Sequence, residues 1–171
     1  MPLVAVDQLA LTSVSVERAS QLLKIASADP WLIAESAGHR VMPVEIIDVG
    51  DGKSSAQVWF VDYSAMRTLV LSLSDAAVVT DRRESEVGAA NYSAIERAEA
   101  TAIALGDPEV RARAEGSELV VNNITGASAG ECAQGRCLVV FLTPPSGDYA
   151  DLHIVTVDLA AQRVVSIERG S

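Results

Sequence analysis

Apolar positions along the chain change period from helical to extended, and do so twice in the same order. From Val16 the residues Ala19, Leu22, Leu23 and Ala26 recur at helical spacing and predict a helix with one stripe to bury. Asp29-Pro30 restarts the pattern, with Asp29 placed to cap a second turn, Pro30 at its first position and Gly38 at its end. Extended runs rich in Val, Ile and Leu follow around Val41 to Val49, Ala56 to Asp62, Thr68 to Leu73 and Val78 to Thr80, which predict strands.

The same succession begins again in the second half. Glu96-Arg97-Ala98 repeats Glu17-Arg18-Ala19 after 79 positions, and Asp107-Pro108 repeats Asp29-Pro30 after 78. Ser93 and Glu96 have the spacing of a capping box, Ala98, Ala102 and Leu105 make one apolar face, and Gly106 and Gly116 close the two helical stretches. Strands are predicted around Glu118 to Asn122, Cys137 to Thr143, Leu152 to Val157 and Val164 to Ile167. Pro144-Pro145-Ser146-Gly147-Asp148 is a turn, and Asp158 to Arg163 joins the last two strands as a hairpin.

The predicted fold is therefore α+β, with two tandem modules at 14–83 and 92–171. Each is a helix packed on an antiparallel sheet of about four strands. The mixed-charge stretch from Asp81 leads into a linker at 84–91, and residues 1–13 form an N-terminal arm. Residues 3–11 of that arm are too apolar to stay free in water, so the arm is expected to pair with a sheet edge of its own chain or of a second copy.

Composition narrows the function classes. The 171 residues are 49% apolar but only 4% aromatic, so both cores must be built from Val, Ile, Leu and Ala. A formal net charge of -10, without clusters of Lys and Arg, argues against nucleic acid as a partner. No apolar run is long enough for a membrane span, and the first residues have neither the basic region nor the apolar core of a signal peptide. Cys132 and Cys137, the only cysteines, have C-x4-C spacing, which is neither a zinc pair nor a C-x-x-C redox motif. A disulfide closing a short loop is favoured over two free thiols, and it places the protein outside the cytosol.

In the second half the order of helix, Asp-Pro restart and strand, the cysteine-bearing turn before Gly135-Arg136-Cys137-Leu138-Val139-Val140-Phe141, and the hairpin of Val155-x-Val157-Asp158-Leu159 with Arg163-Val164-Val165-Ser166-Ile167 resemble PepSY-like domains and the small N-terminal domains of copper amine oxidases. The resemblance implies cystatin-like modules, each a helix on a curved sheet. It covers about 75 residues of the second half well and the first half loosely. It implies no oxidase: Asn91-Tyr92 is followed by Ser93-Ala94 rather than an acidic residue and Tyr, and His39 and His153 are the only histidines.

Chemistry-bearing residues are sparse. One His in each half supports neither a metal site nor a triad, and no nucleophile elbow or phosphate loop is present. The Asp48 to Lys53 stretch lacks the ligand ladder of a calcium loop. Glu45 or Asp48 with Asp62 would be a carboxylate pair only if folding brought them together. Asn91 and Asn123 head glycosylation sequons. Trp59, Tyr63 and Tyr149 are the candidate partner surface. The function expected is a non-catalytic extracytoplasmic protein-interaction module without metal or cofactor, acting on a protein partner or by self-assembly into a homo-oligomer through strand edges. The alternatives are a structural subunit of a surface filament or shell, and a small ligand-binding protein or enzyme using the sheet concavity.

Overall fold

A computed structural model describes residues 5–50, 56–114, 116–127, 132, 135–147 and 151–170. The chain divides into two compact units, 1–94 and 95–171. It is α+β, with one helix-on-sheet module followed by another.

In the first unit α1 (Val16–Ser27) and α2 (Pro30–Glu35) precede β2 (Val41–Ile47), β3 (Ala56–Asp62), β4 (Arg67–Leu73) and β5 (Val79–Glu86), which form an antiparallel run. The arm adds a fifth strand, β1 (Ala10–Thr12), parallel to β2 with Leu11 opposite Ile46. The sheet is thus one strand wider than expected, because the arm pairs with its own chain. Ser15 caps α1 by accepting from the Arg18 N–H, and Asp29 caps α2 by accepting from the Trp31 N–H at 3.1 Å. The α1 stripe, Ala19, Leu22 and Ala26, joins Leu9, Leu32, Val58, Phe60, Leu69 and Leu71 in one apolar core.

In the second unit α3 (Ala94–Gly106) and α4 (Pro108–Arg113) precede β6 (Val120–Gly126), β7 (Cys137–Thr143), β8 (His153–Asp158) and β9 (Arg163–Arg169), paired antiparallel in that order. Asp107 caps α4 through the N–H groups of Glu109 and Val110. Leu138, Val140, Leu142, Val155 and Val157 are fully buried.

Two sequence expectations need correction. The polar stretch from Asp81 is strand, since β5 runs to Glu86 and overlaps the expected linker at 84–91. Its charged side chains have local partners, so an edge strand forms without apolar alternation: Arg82 binds Asp29, Glu84 binds Arg67, and Arg83 lies over the Trp59 ring. The second correction concerns the buried face of α3, which is Glu96, Ala100 and Ala104, while Ala98 and Ala102 are exposed. Fully buried Leu22, Ala26 and Leu32 recur after 78 positions as Ala100, Ala104 and Val110, and so does the left-handed glycine, Gly38 at φ 77 and Gly116 at φ 75. The Glu-Arg-Ala landmark repeats after 79. One extra residue turns a helix by about 100°, so that motif points differently in the two copies.

Candidate functional site

Three groups of polar side chains lie within the units. The first is built on the β3–β4 hairpin. Asp62 ends β3, and its Oδ1 accepts from the N–H groups of Ser64 and Ala65, both at 3.1 Å, which sets a tight turn closed by Met66 at φ 54. Asp158 ends β8 and makes the same turn with Ala160, Ala161 and Gln162. Among the described residues only Asp62 goes further. Its Oδ2 faces His39 Nδ1 at 2.8 Å and accepts from Arg67 Nε at 3.2 Å, and Arg67 extends to Glu35 and Glu84. Burial by itself would raise the Asp62 pKa, but His39, the Ala65 N–H and Arg67 outweigh it and hold the carboxyl below its ordinary value. His39 and Asp62 are 23 positions apart, and nothing in the local sequence marks them as partners.

Neither Glu45 nor Asp48 joins Asp62. Glu45 is buried and accepts from the Asn91 backbone N–H at 2.8 Å, and Asp48 accepts from the Gly50 N–H. Of the candidate partner surface, Trp59 and Tyr63 are 8% and 4% exposed, so neither ring is presented outward. Arg83 lies 5.2 Å from the Trp59 ring centre and Arg40 lies 4.3 Å from that of Tyr63. A ring with that cover works as packing and a cation–π contact. Tyr149 falls outside the described residues.

The second group staples the start of β7 to α3. Cys132 and Cys137 are disulfide-bonded. Between them Arg136 points into the unit, where its Nε and Nη2 donate to the two carboxylate oxygens of Glu96. Both side chains are wholly buried, and Leu159 N–H donates to the Arg136 carbonyl at 3.1 Å. Glu96, assigned by its spacing to a capping box, holds a long-range cation.

The third group lines a pocket of about 160 Å³ in the second unit, formed by Arg113, Ala114, Ser117, Pro144, Asp151, His153 and Arg169. His153 opens β8 and is only 5% exposed, and its Nδ1 is buried without a hydrogen-bond partner among the described residues. Burial first, then the charges of Arg169 and Arg113 against the opposing Asp151, lower its pKa below the ordinary value, so the ring is neutral at neutral pH. Arg169 pairs with Asp151, and Arg113 donates to Glu109 and to the Ile167 carbonyl.

Among the described residues no three His, Cys, Asp or Glu side chains gather to hold a metal ion, and no helix is long and apolar enough to cross a membrane. Compared with known proteins, the chain matches no family model and no curated protein.

Proposed function

We propose that the chain is a non-catalytic extracytoplasmic interaction module, PepSY-like and cystatin-like in its two units, that associates by adding a strand at β6. The observation that carries this reading is the contrast among the four sheet edges. Natural proteins blunt exposed edges with short strands, charge or side-chain cover. β1 has three residues. β5 carries Asp81, Arg82, Arg83, Glu84 and Glu86. β9 carries Arg163, Glu168 and Arg169, and Arg113 donates to its Ile167 carbonyl.

β6 has no charged residue along its seven positions, and Val120 and Val121 at its start are 42% and 37% exposed. Arg97 covers this strand at the Ile124 carbonyl, which leaves the leading half, Val120 to Asn123, for a partner. A second copy of the chain is the occupant we assign. Copies with a net charge of -10 repel wherever charge is presented, and an uncharged strand is where they can meet. Antiparallel pairing of two β6 strands closes a two-fold dimer. The disulfide supports an extracytoplasmic compartment.

Sedimentation velocity across a range of concentrations tests the reading. The expected result is a monomer–dimer equilibrium that Val121→Lys abolishes while circular dichroism is unchanged. A wild-type chain that stays monomeric, or a dimer that Val121→Lys leaves intact, overturns β6 as the site; in the second case another surface is the occupant's seat.

A further inference from the structure

The pocket of the second unit is independent of β6 and has its own chemistry. We propose that it binds a small oxyanion, a carboxylate or a phosphate, gripped by the Arg169 guanidinium beside the charge of Arg113, with the His153 ring and the Ser117 hydroxyl as hydrogen-bond partners.

The His153 ring carries the argument. A buried polar atom without a partner is uncommon in a folded chain, and each one needs a physical reason. His153 lies at the end of β8, opposite Leu142 of β7 and Arg169 of β9. It is 5% exposed, its Nδ1 has no partner among the described residues, and the same ring lines the pocket. A neutral imidazole keeps one N–H donor and one lone pair, so it can donate to an anion without burying a second charge.

The charges around it set the ligand class. Arg113 at the end of α4 and Arg169 at the end of β9 supply two cations, and Asp151 supplies one carboxylate, already paired with Arg169. Glu109 pairs with Arg113 without lining the pocket, so the lining itself carries two guanidinium groups and one carboxylate and favours an anion over a cation. Arg113 is occupied at Nε and Nη2 by Glu109 and at Nη1 by the Ile167 carbonyl, so it acts mainly through its charge. Arg169 has one nitrogen on Asp151, and its side chain is 67% exposed, which leaves the rest of a planar fork suited to two oxygens of one ligand. Only Ala114 and Pro144 present apolar surface, so a ligand that is mostly hydrocarbon gains little there. A volume of about 160 Å³ limits the occupant to a small anion or the anionic end of a larger molecule.

An anion seated beside His153 favours the imidazolium form, so binding should tighten as pH falls, with Arg113 and Arg169 opposing and Asp151 assisting protonation. The test uses the two histidines of the full chain, with His39 in the first unit as the internal control. Imidazole nitrogen resonances are followed by NMR during titration with sodium phosphate, sodium acetate, or sodium chloride at matched ionic strength. The expected result is a saturable shift of His153 with phosphate or acetate, no such shift at His39 or with chloride, and about tenfold weaker binding in Arg169→Gln, the loss of one charge-assisted hydrogen bond. Saturation by phosphate alone or by acetate alone assigns the ligand class within the proposal. Equal shifts with chloride, parallel shifts of both histidines, or an Arg169→Gln chain that titrates like wild type would overturn it. Because Arg169 is largely exposed, this variant is expected to fold, and a circular dichroism spectrum and melt like those of wild type verify that.

Discussion

Arg136 and Glu96 stand 40 positions apart in the chain and meet as an ion pair from which solvent is wholly excluded at both side chains. A buried pair of this kind costs more to break than it contributes when whole. Glu96→Gln leaves the guanidinium without its counter-charge and is expected to destabilise the protein by about 3–5 kcal/mol. The double variant Glu96→Leu/Arg136→Met removes both charges together and should be less destabilised than the single one. Urea titration of wild type and the two variants checks this; a double variant that loses more stability than Glu96→Gln would contradict it.

The helix phase gives a second prediction. Ala104 is fully buried on α3 and Ala98 is exposed, although the apolar pattern of the sequence favours the face bearing Ala98. Ala104→Leu overfills the helix–sheet seam and should cost about 1–3 kcal/mol. Ala98→Leu should stay within about 0.5 kcal/mol of wild type. Thermal melts of both variants decide which face is inward.

That misread face shows where local sequence stops being informative. The element order, both Asp-Pro restarts and the glycines that end α2 and α4 were legible because capping and left-handed backbone are set by neighbouring residues. The phase of α3 was not, since alanines mark all of its faces and the buried Glu96 reads as polar surface until Arg136 arrives. β5 was hidden for a related reason, its charges being satisfied by Asp29 and Arg67 from other elements. The pocket was less legible still. Arg113, Ser117, His153 and Arg169 come from α4, its following loop and two strand ends, and only the folded unit brings them to one place.

Acid should weaken the fold in two windows. The His153 pKa is lowered by burial and by Arg169 and Arg113, so the unfolded chain takes up that proton first; its contribution is complete above about pH 6.5 and is lost as pH falls through the depressed folded value. Asp62, and Asp29 chiefly through its Arg82 hydrogen bond, also have lowered pKa values. Their contributions are complete above about pH 4 and are lost as pH falls through the folded values. Urea midpoints from pH 8 to pH 3 should show both declines, with His153→Phe removing the upper one. A midpoint that is flat between pH 7 and pH 5 in the wild-type chain would contradict the buried neutral ring.

The arm is part of the first unit. Leu9 is 6% exposed in its core, and Leu9→Ala should cost about 2–5 kcal/mol. Deleting residues 1–12 should lower the melting temperature and leave the association state unchanged, because β1 pairs with β2 of the same chain. Loss of association in the truncated chain, seen by sedimentation, would mean that the arm exchanges between copies.

The central claim is that the leading half of β6 is the edge where a second copy adds. Amide hydrogen exchange at a low and a high protein concentration tests it at the residues concerned. The account predicts that protection at Val120 to Asn123 rises with concentration, while exchange at the β5 and β9 edges does not change. Exchange at Val120 to Asn123 that is the same at both concentrations, with the chain shown to be dimeric at the higher one, would contradict it.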